Sequence, residues 1–255
     1  MELAFKKYGD HPNKTLIILH GLFGMLDNWQ LQARKASEYA SVYTLDLRNH
    51  GRSPHSEEMS YGAMAEDIYS FCELHNIKKP IILGHSMGGK VAMQTALDYP
   101  DLPQKLVVAD IAPKAYLPGH LRYFEALNRI DFSKIENRAM ADRALKEYEP
   151  NDAIRLFLLK NLEKAESGYR LKMNLAAIER SYDHIIGGIA IPYPISIPTL
   201  FIKGSRSSYI SDEDEAELAS LFPESKLLEV PNAGHWLHAE NPEGFFNALY
   251  PFIEK

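Results

Sequence analysis

The sequence lacks four things that would each place it quickly. It has a single cysteine, Cys72, so no internal disulfide and no cysteine-rich metal site is available. It has no excess of basic residues: 28 Lys and Arg stand against 34 Asp and Glu, a net charge of −6. A nucleic-acid-binding face is therefore not expected. It has no long apolar run able to cross a membrane. The longest uncharged candidate, 185–202, carries Pro192, Pro194 and Pro198, which forbid a continuous helix. It also has no internal repeat and no acidic or basic tail. The first residues, Met1-Glu2-Leu3-Ala4-Phe5-Lys6-Lys7, contain no apolar core of a signal peptide, so a soluble, cytoplasmic protein is the expectation.

What remains is ordinary globular composition, 45% hydrophobic and 24% charged over 255 residues, enough for one large domain with an insertion. Short apolar runs alternate with helix-spaced stretches. Thr15–Leu19, Val42–Leu45, Pro80–Leu83 and Leu106–Ala109 read as buried strands. Asp27–Ala40, Ser60–Leu74 (capped by Ser60) and Gly88–Leu97 read as helices between them. Cys72 falls on the apolar side of the second, as a buried helix thiol. Such alternation predicts an α/β fold with a mostly parallel sheet covered on both faces. In such sheets ligands bind just beyond the C-terminal strand ends.

From Pro113 to Pro198 the alternation stops, and the sequence reads as helices without strands. Ser133-Lys134-Ile135-Glu136 has the form of a capping box, and Asn151 of another helix cap. Strand-like runs return at Thr199–Ile202 and Leu227–Val230. Residues 1–112 and 198–255 are therefore expected to form the core, and 113–197 a helical lid (cap) inserted over the strand ends.

Gly84-His85-Ser86-Met87-Gly88 follows a strand and opens a helix. That is the context in which G-x-S-x-G makes a tight, strained turn and lifts a serine hydroxyl above the sheet. The helix beginning there favours developing negative charge. Ser86 is the candidate nucleophile. It needs a base, and His235, just past the last strand, can reach across the strand ends. His85 and His20 read as structural, and His238 as part of the following helix. An oxyanion hole needs two N–H donors. Met87, after the nucleophile, is one, and the His20-Gly21-Leu22-Phe23-Gly24 turn supplies the other, Leu22 with Phe23 as the alternative. For the acid, no carboxylate lies between Gly204 and Asp212. Asp212 and Asp214 sit in a capping box, Ser211-Asp212-Glu213-Asp214, whereas Asp110 ends a core strand. Asp110 is preferred, with an acid after the lid left open. The Arg48-Asn49-His50 loop reads as a brace. Phe23, Tyr123, Phe124 and Trp236 are candidate substrate-binding residues.

His20-Gly21-Leu22-Phe23-Gly24, Arg48-Asn49-His50-Gly51, Gly84-His85-Ser86-Met87-Gly88-Gly89-Lys90, Asp110-Ile111-Ala112-Pro113 and Gly234-His235-Trp236 resemble the α/β-hydrolase superfamily and, within it, the bacterial YbfF-type esterases. The resemblance spans essentially the whole chain. It implies an α/β-hydrolase fold and hydrolysis of carboxylic esters or acyl-CoA thioesters by a serine acyl-enzyme. It implies no cofactor and no metal. It also places the triad acid at Asp110, with Ser207 as an auxiliary serine where most relatives carry the acid. A small-molecule ester or acyl-CoA partner and a monomer or weak dimer are expected. A serine at the elbow argues against dehalogenases and epoxide hydrolases, which use aspartate there. Two rivals stay open: a carbon–carbon lyase or hydrolase like the menaquinone-pathway synthases, and a non-catalytic ligand receptor.

Overall fold

The computed structural model describes residues 1–254. Seven strands form one sheet: β1 (Phe5–Tyr8), β2 (Thr15–Leu19), β3 (Ser41–Leu45), β4 (Ile81–His85), β5 (Lys105–Ala109), β8 (Thr199–Gly204) and β9 (Ser225–Val230), in the order β1-β3-β2-β4-β5-β8-β9. All neighbours pair in parallel except β1, which runs antiparallel to β3.

The central strands are buried at nearly every position because both faces of the sheet are covered. Ile17, Leu19, Ile82 and Val108 pack into one core with Met64, Ile68 and Phe71 of α2 (Tyr61–Leu74) and Val91 of α3 (Met87–Asp98). Their alternating neighbours Leu16, Ile18, Leu83 and Val107 pack into a second core. That one also holds Ala33 and Ala36 of α1 (Gln30–Ala36) and Phe245, Leu249 and Ile253 of α11 (Pro242–Glu254). The period-2 alternation of side chains thus divides each strand between two helical layers. Cys72 is buried in the first core, and burial pushes its thiol up to about 12.

Between β5 and β8 the chain leaves the sheet and builds α4 (Leu121–Arg129), α5 (Arg138–Lys146), α6 (Asp152–Leu159), β6 (Leu162–Lys164), β7 (Tyr169–Leu171), α7 (Leu175–Arg180) and α8 (Tyr182–Ile186). Two expectations fail here. The segment is not purely helical, since β6 and β7 form an antiparallel hairpin. Nor does Ser133 open a helix. Asp131 caps a single 3-10 turn through the Ser133 N–H, and the helix begins further on, with Asn137 accepting from Met140 N–H. Ser60 and Asn151 cap α2 and α6 as expected. The entering and leaving ends of the segment are laced together, Tyr116 N–H to Ile186 O at 2.8 Å and Ile189 N–H to Pro113 O at 2.7 Å. After β8 come α9 (Asp212–Leu221), then β9, α10 (Leu237–Glu240) and α11.

Candidate active site

Ser86 lies between β4 and α3 with φ 53° and ψ −121°, a left-handed conformation that costs a non-glycine residue energy. Tight glycine contacts hold it. A Cβ on Gly84 would stand 2.0 Å from Gly88 O, and one on Gly88 2.6 Å from His20 O. The turn fits only because these positions lack side chains. It is pinned to the sheet by Ser86 N–H donating to Ala109 O at 3.0 Å.

His235 comes from the loop after β9. Its Nε2 lies 3.0 Å from Ser86 Oγ, and its Nδ1 lies 2.8 Å from Oδ2 of Asp110. Since a carboxylate only accepts, Nδ1–H donates and Nε2 is free to accept from the serine hydroxyl. Asp110, just beyond β5, is fully buried and also has a positive φ of 53°. Its Oδ1 accepts from Gly204 N–H at 3.0 Å, and its Oδ2 also accepts the Ser207 hydroxyl. Four segments remote in sequence thus converge on one hydrogen-bonded chain. Asp214, in contrast, accepts from Ser211 N–H and Lys114 Nζ, both at 2.7 Å, and Asp212 faces solvent beside Lys203. The Ser211 capping box is formed as read from the sequence.

The turn after β2 is braced from behind. His20 Nε2 accepts from Leu47 N–H at 3.0 Å. His50 Nδ1 donates to Arg48 O at 3.0 Å, leaving its Nε2 to accept from Phe23 N–H at 3.3 Å. That bond occupies the Phe23 donor, while Leu22 N–H takes no part in the turn's backbone bonds. Met87 is the first residue of α3, so its N–H has no helical acceptor. Burial holds His20 down to about 4 and His50 to about 3, so both stay neutral. His85 is equally buried and donates Nε2–H to His235 O at 2.7 Å, a bracing contact beneath that loop.

Two narrow chambers meet at Leu22, Ser86 and His120. One is lined by Phe23, Tyr123, Ile154, Phe157 and Trp236. The other is lined by Tyr61, Met87, Lys90, Ile111 and Leu117. Of the four candidate substrate-binding residues, Phe23, Tyr123 and Trp236 line the first chamber. Phe124 does not. It packs edge-on against Phe23 at 5.0 Å and Tyr182 at 5.1 Å, filling the joint between the inserted segment and the core. Sequence reading missed Tyr209, whose ring stacks on His235 at 3.8 Å, and His120, at the junction of the chambers. No spacing rule links either to Ser86.

Residues 14–242 match the sequence profile described as the alpha/beta hydrolase fold. The chain belongs to this hydrolase family. It is 34% identical over 244 residues to the esterase YbfF of Escherichia coli, covering 95% of this chain and 94% of that protein. It is 36% identical over 255 residues to the sn-1-specific diacylglycerol lipase ABHD11 of Danio rerio, with 96% and 80% covered. A solved marine microorganism esterase superposes with a TM-score of 0.95 at 44% identity, covering 98% of this hydrolase and 99% of that chain. The hydrolase is thus of the esterase and lipase kind. No helix among its described residues is long and apolar enough to cross a membrane.

Proposed function

We propose that this hydrolase cleaves carboxylic esters through an acyl-enzyme on Ser86. The observation that carries the reading is the chain Ser86 Oγ, His235 and Asp110, with separations of 3.0 and 2.8 Å. Ser86 Oγ attacks the ester carbonyl carbon while His235 Nε2 takes its proton. The C–O bond then breaks as the imidazolium returns that proton to the leaving alcohol. Water, deprotonated by the same nitrogen, attacks the acyl carbon; the bond from that carbon to Ser86 Oγ breaks, the imidazolium returns the proton to Oγ, and the free acid leaves. Asp110 fixes the tautomer and stabilises the imidazolium formed in each half. Leu22 and Met87 N–H groups receive the oxyanion, and Ser207 supports the acid. The strained backbone at Ser86 keeps the hydroxyl presented before substrate arrives.

Residues 113–197 act in this reading as a cap whose Tyr123 and Phe157 help shape an apolar chamber for the acyl chain. Such a pocket suits esters, and acyl-CoA thioesters where the leaving group is a thiol. A carbon–carbon lyase working on a polycarboxylate needs several cations. Among the described residues, Lys90 is the one Lys or Arg lining these two chambers, and its Nζ is already held by Lys114 O and Gly187 O. A non-catalytic receptor has no use for the aligned hydroxyl and imidazole.

The test is a fluorophosphonate label with kinetics on p-nitrophenyl esters and acyl-CoAs of graded length. The adduct is expected on Ser86, and Ser86→Ala should lose activity by roughly 10⁴-fold or more, because such groups act as a unit. A label elsewhere, or an active Ser86→Ala protein, overturns the mechanism.

A further inference from the structure

The two hydrogen bonds of His235 lie in the plane of its ring. They define an axis from Asp110 to Ser86, about which the imidazole can still tilt. The Tyr209 ring closes that freedom. It lies face to face with His235, centroids 3.8 Å apart and planes 16° from parallel. Tyr209 is itself held: its N–H donates to Ser207 Oγ at 3.3 Å, and its carbonyl accepts the Tyr116 hydroxyl at 2.8 Å. Tyr116 stacks on it in turn, 5.1 Å away and 29° off parallel, and accepts Ala112 N–H at 2.8 Å.

Tyr116 belongs to the loop that leads into the inserted segment, where its N–H donates to Ile186 O at the end of α8. Lys90 of α3 stands 4.9 Å over its ring and binds Lys114 O and Gly187 O, one on the entering and one on the leaving segment. A column of rings therefore runs from His235 through Tyr209 to the stem of the insertion.

We propose that Tyr209 is a positioning residue for His235, and that Tyr116 makes this support depend on the seating of the cap stem. The inference rests on the reading of His235 as the base. The electron-rich face of a phenol attracts a cation more than a neutral ring, so the contact strengthens when His235 takes the Ser86 proton. The groups around His235 leave this effect legible. Asp110 is its carboxylate partner, Ser86 and Ser207 are neutral, Trp236 meets it edge-on, and burial keeps His85, His120 and His238 uncharged.

The experiment compares Tyr209→Leu, Tyr209→Met, Tyr209→Phe and Tyr116→Phe on p-nitrophenyl acetate, too short to probe the chambers, across a pH series. Leu and Met should lower kcat by about tenfold with KM within about twofold. They should also move the acidic limb of kcat/KM to lower pH, because the charged imidazole no longer meets an aromatic face. Phe at 209 should rescue both. Tyr116→Phe, which keeps the ring and removes the hydroxyl bridge, should lower kcat by about threefold. In parallel, NMR titration of the His235 ring is followed in Ser86→Ala with and without Tyr209→Leu. The midpoint should fall in the double variant even with no turnover, so the stacking is tested independently of the proposed mechanism. An unmoved NMR midpoint and acidic limb, or Phe as impaired as Leu, overturns the role of Tyr209. Wild-type kinetics for Tyr116→Phe overturns the link to the cap stem.

Discussion

Ser207 donates its hydroxyl to Oδ2 of Asp110, the same oxygen that His235 Nδ1 meets at 2.8 Å. A carboxylate oxygen can accept both, and the pairing explains how a serine stands where a carboxylate would otherwise be expected. In the proposed mechanism the position after β8 supports an acid supplied from the end of β5.

Asp110→Asn should cut kcat by about 10⁴-fold with the fold intact, since an amide favours the wrong imidazole tautomer. Ser207→Ala removes one hydrogen bond and should slow turnover roughly tenfold. Asp212→Asn should leave kcat unchanged. Steady-state kinetics with melting curves check all three. Near-normal turnover by Asp110→Asn alongside a dead Asp212→Asn would move the acid to the far side of the cap.

Aromatic residues near the site divide by what they touch. Trp236→Ala and Phe157→Ala should reorder the preference among ester chain lengths, each truncated ring shifting the kcat/KM ratio by ~1–3 kcal/mol. Phe124→Ala should leave the ranking alone and destabilise the fold by about 3–5 kcal/mol, because it empties a packed joint. A chain-length series on each variant, with urea unfolding, separates the two. A changed ranking in Phe124→Ala would put that ring in the substrate path.

Five histidines around the site, four buried and His120 half-buried, are held below their ordinary range by desolvation: His20 and His120 at about 4, His50 and His238 at about 3, and His85 well below its usual value. The unfolded chain binds these protons near pH 6.5 and the folded chain does not. Stability is therefore complete above that pH and falls as the pH drops below it, by roughly 1 kcal/mol per histidine per pH unit. Urea midpoints should decline steeply between pH 7 and pH 5. His238 Nδ1 is buried without a hydrogen-bond partner, and its ring stacks on Trp29 at 4.0 Å. His238→Phe should accordingly flatten the decline by about one proton. A slope equal to wild type would show that His238 does not carry its share.

The brace behind the turn after β2 has its own anchor. Arg48 is bound to Asp67 through Nε at 2.7 Å and Nη2 at 3.0 Å, both side chains nearly inaccessible. Asp67→Ala should destabilise the protein by about 3–5 kcal/mol, leaving a buried cation unpaired. Because the pair reaches Ser86 only through the His50 loop, kcat of the folded fraction should change less than about threefold. A large fall in kcat at full occupancy of the native state would make this pair part of the active machinery.

The core and the Ser86–His235–Asp110 chain were legible in the sequence because local signals report them. Apolar runs mark strands, the elbow glycines mark a turn, and loops after strands mark the site. What was missed has weak or non-local signals. The strand Phe5–Tyr8 is an edge with two lysines and exposed side chains, so its pattern is that of a loop. The hairpin β6–β7 has three residues per strand, too few for a period to register. At Ser133 the motif was present, but Asp131 took the backbone donor first. Phe124 and Tyr123 are adjacent on one helix, and no property of the sequence says which faces the cavity. Tyr209 meets His235 only through tertiary folding.

The proposed acid precedes the insertion and the proposed base follows it. Ser86 and His235 are separated by 149 positions, Asp110 and His235 by 125. On a translating ribosome Ser86 and Asp110 emerge well before His235, the imidazole that activates the serine in the proposed mechanism. By that mechanism the growing chain stays chemically silent until β9 has docked on β8 and carried its following loop to the serine.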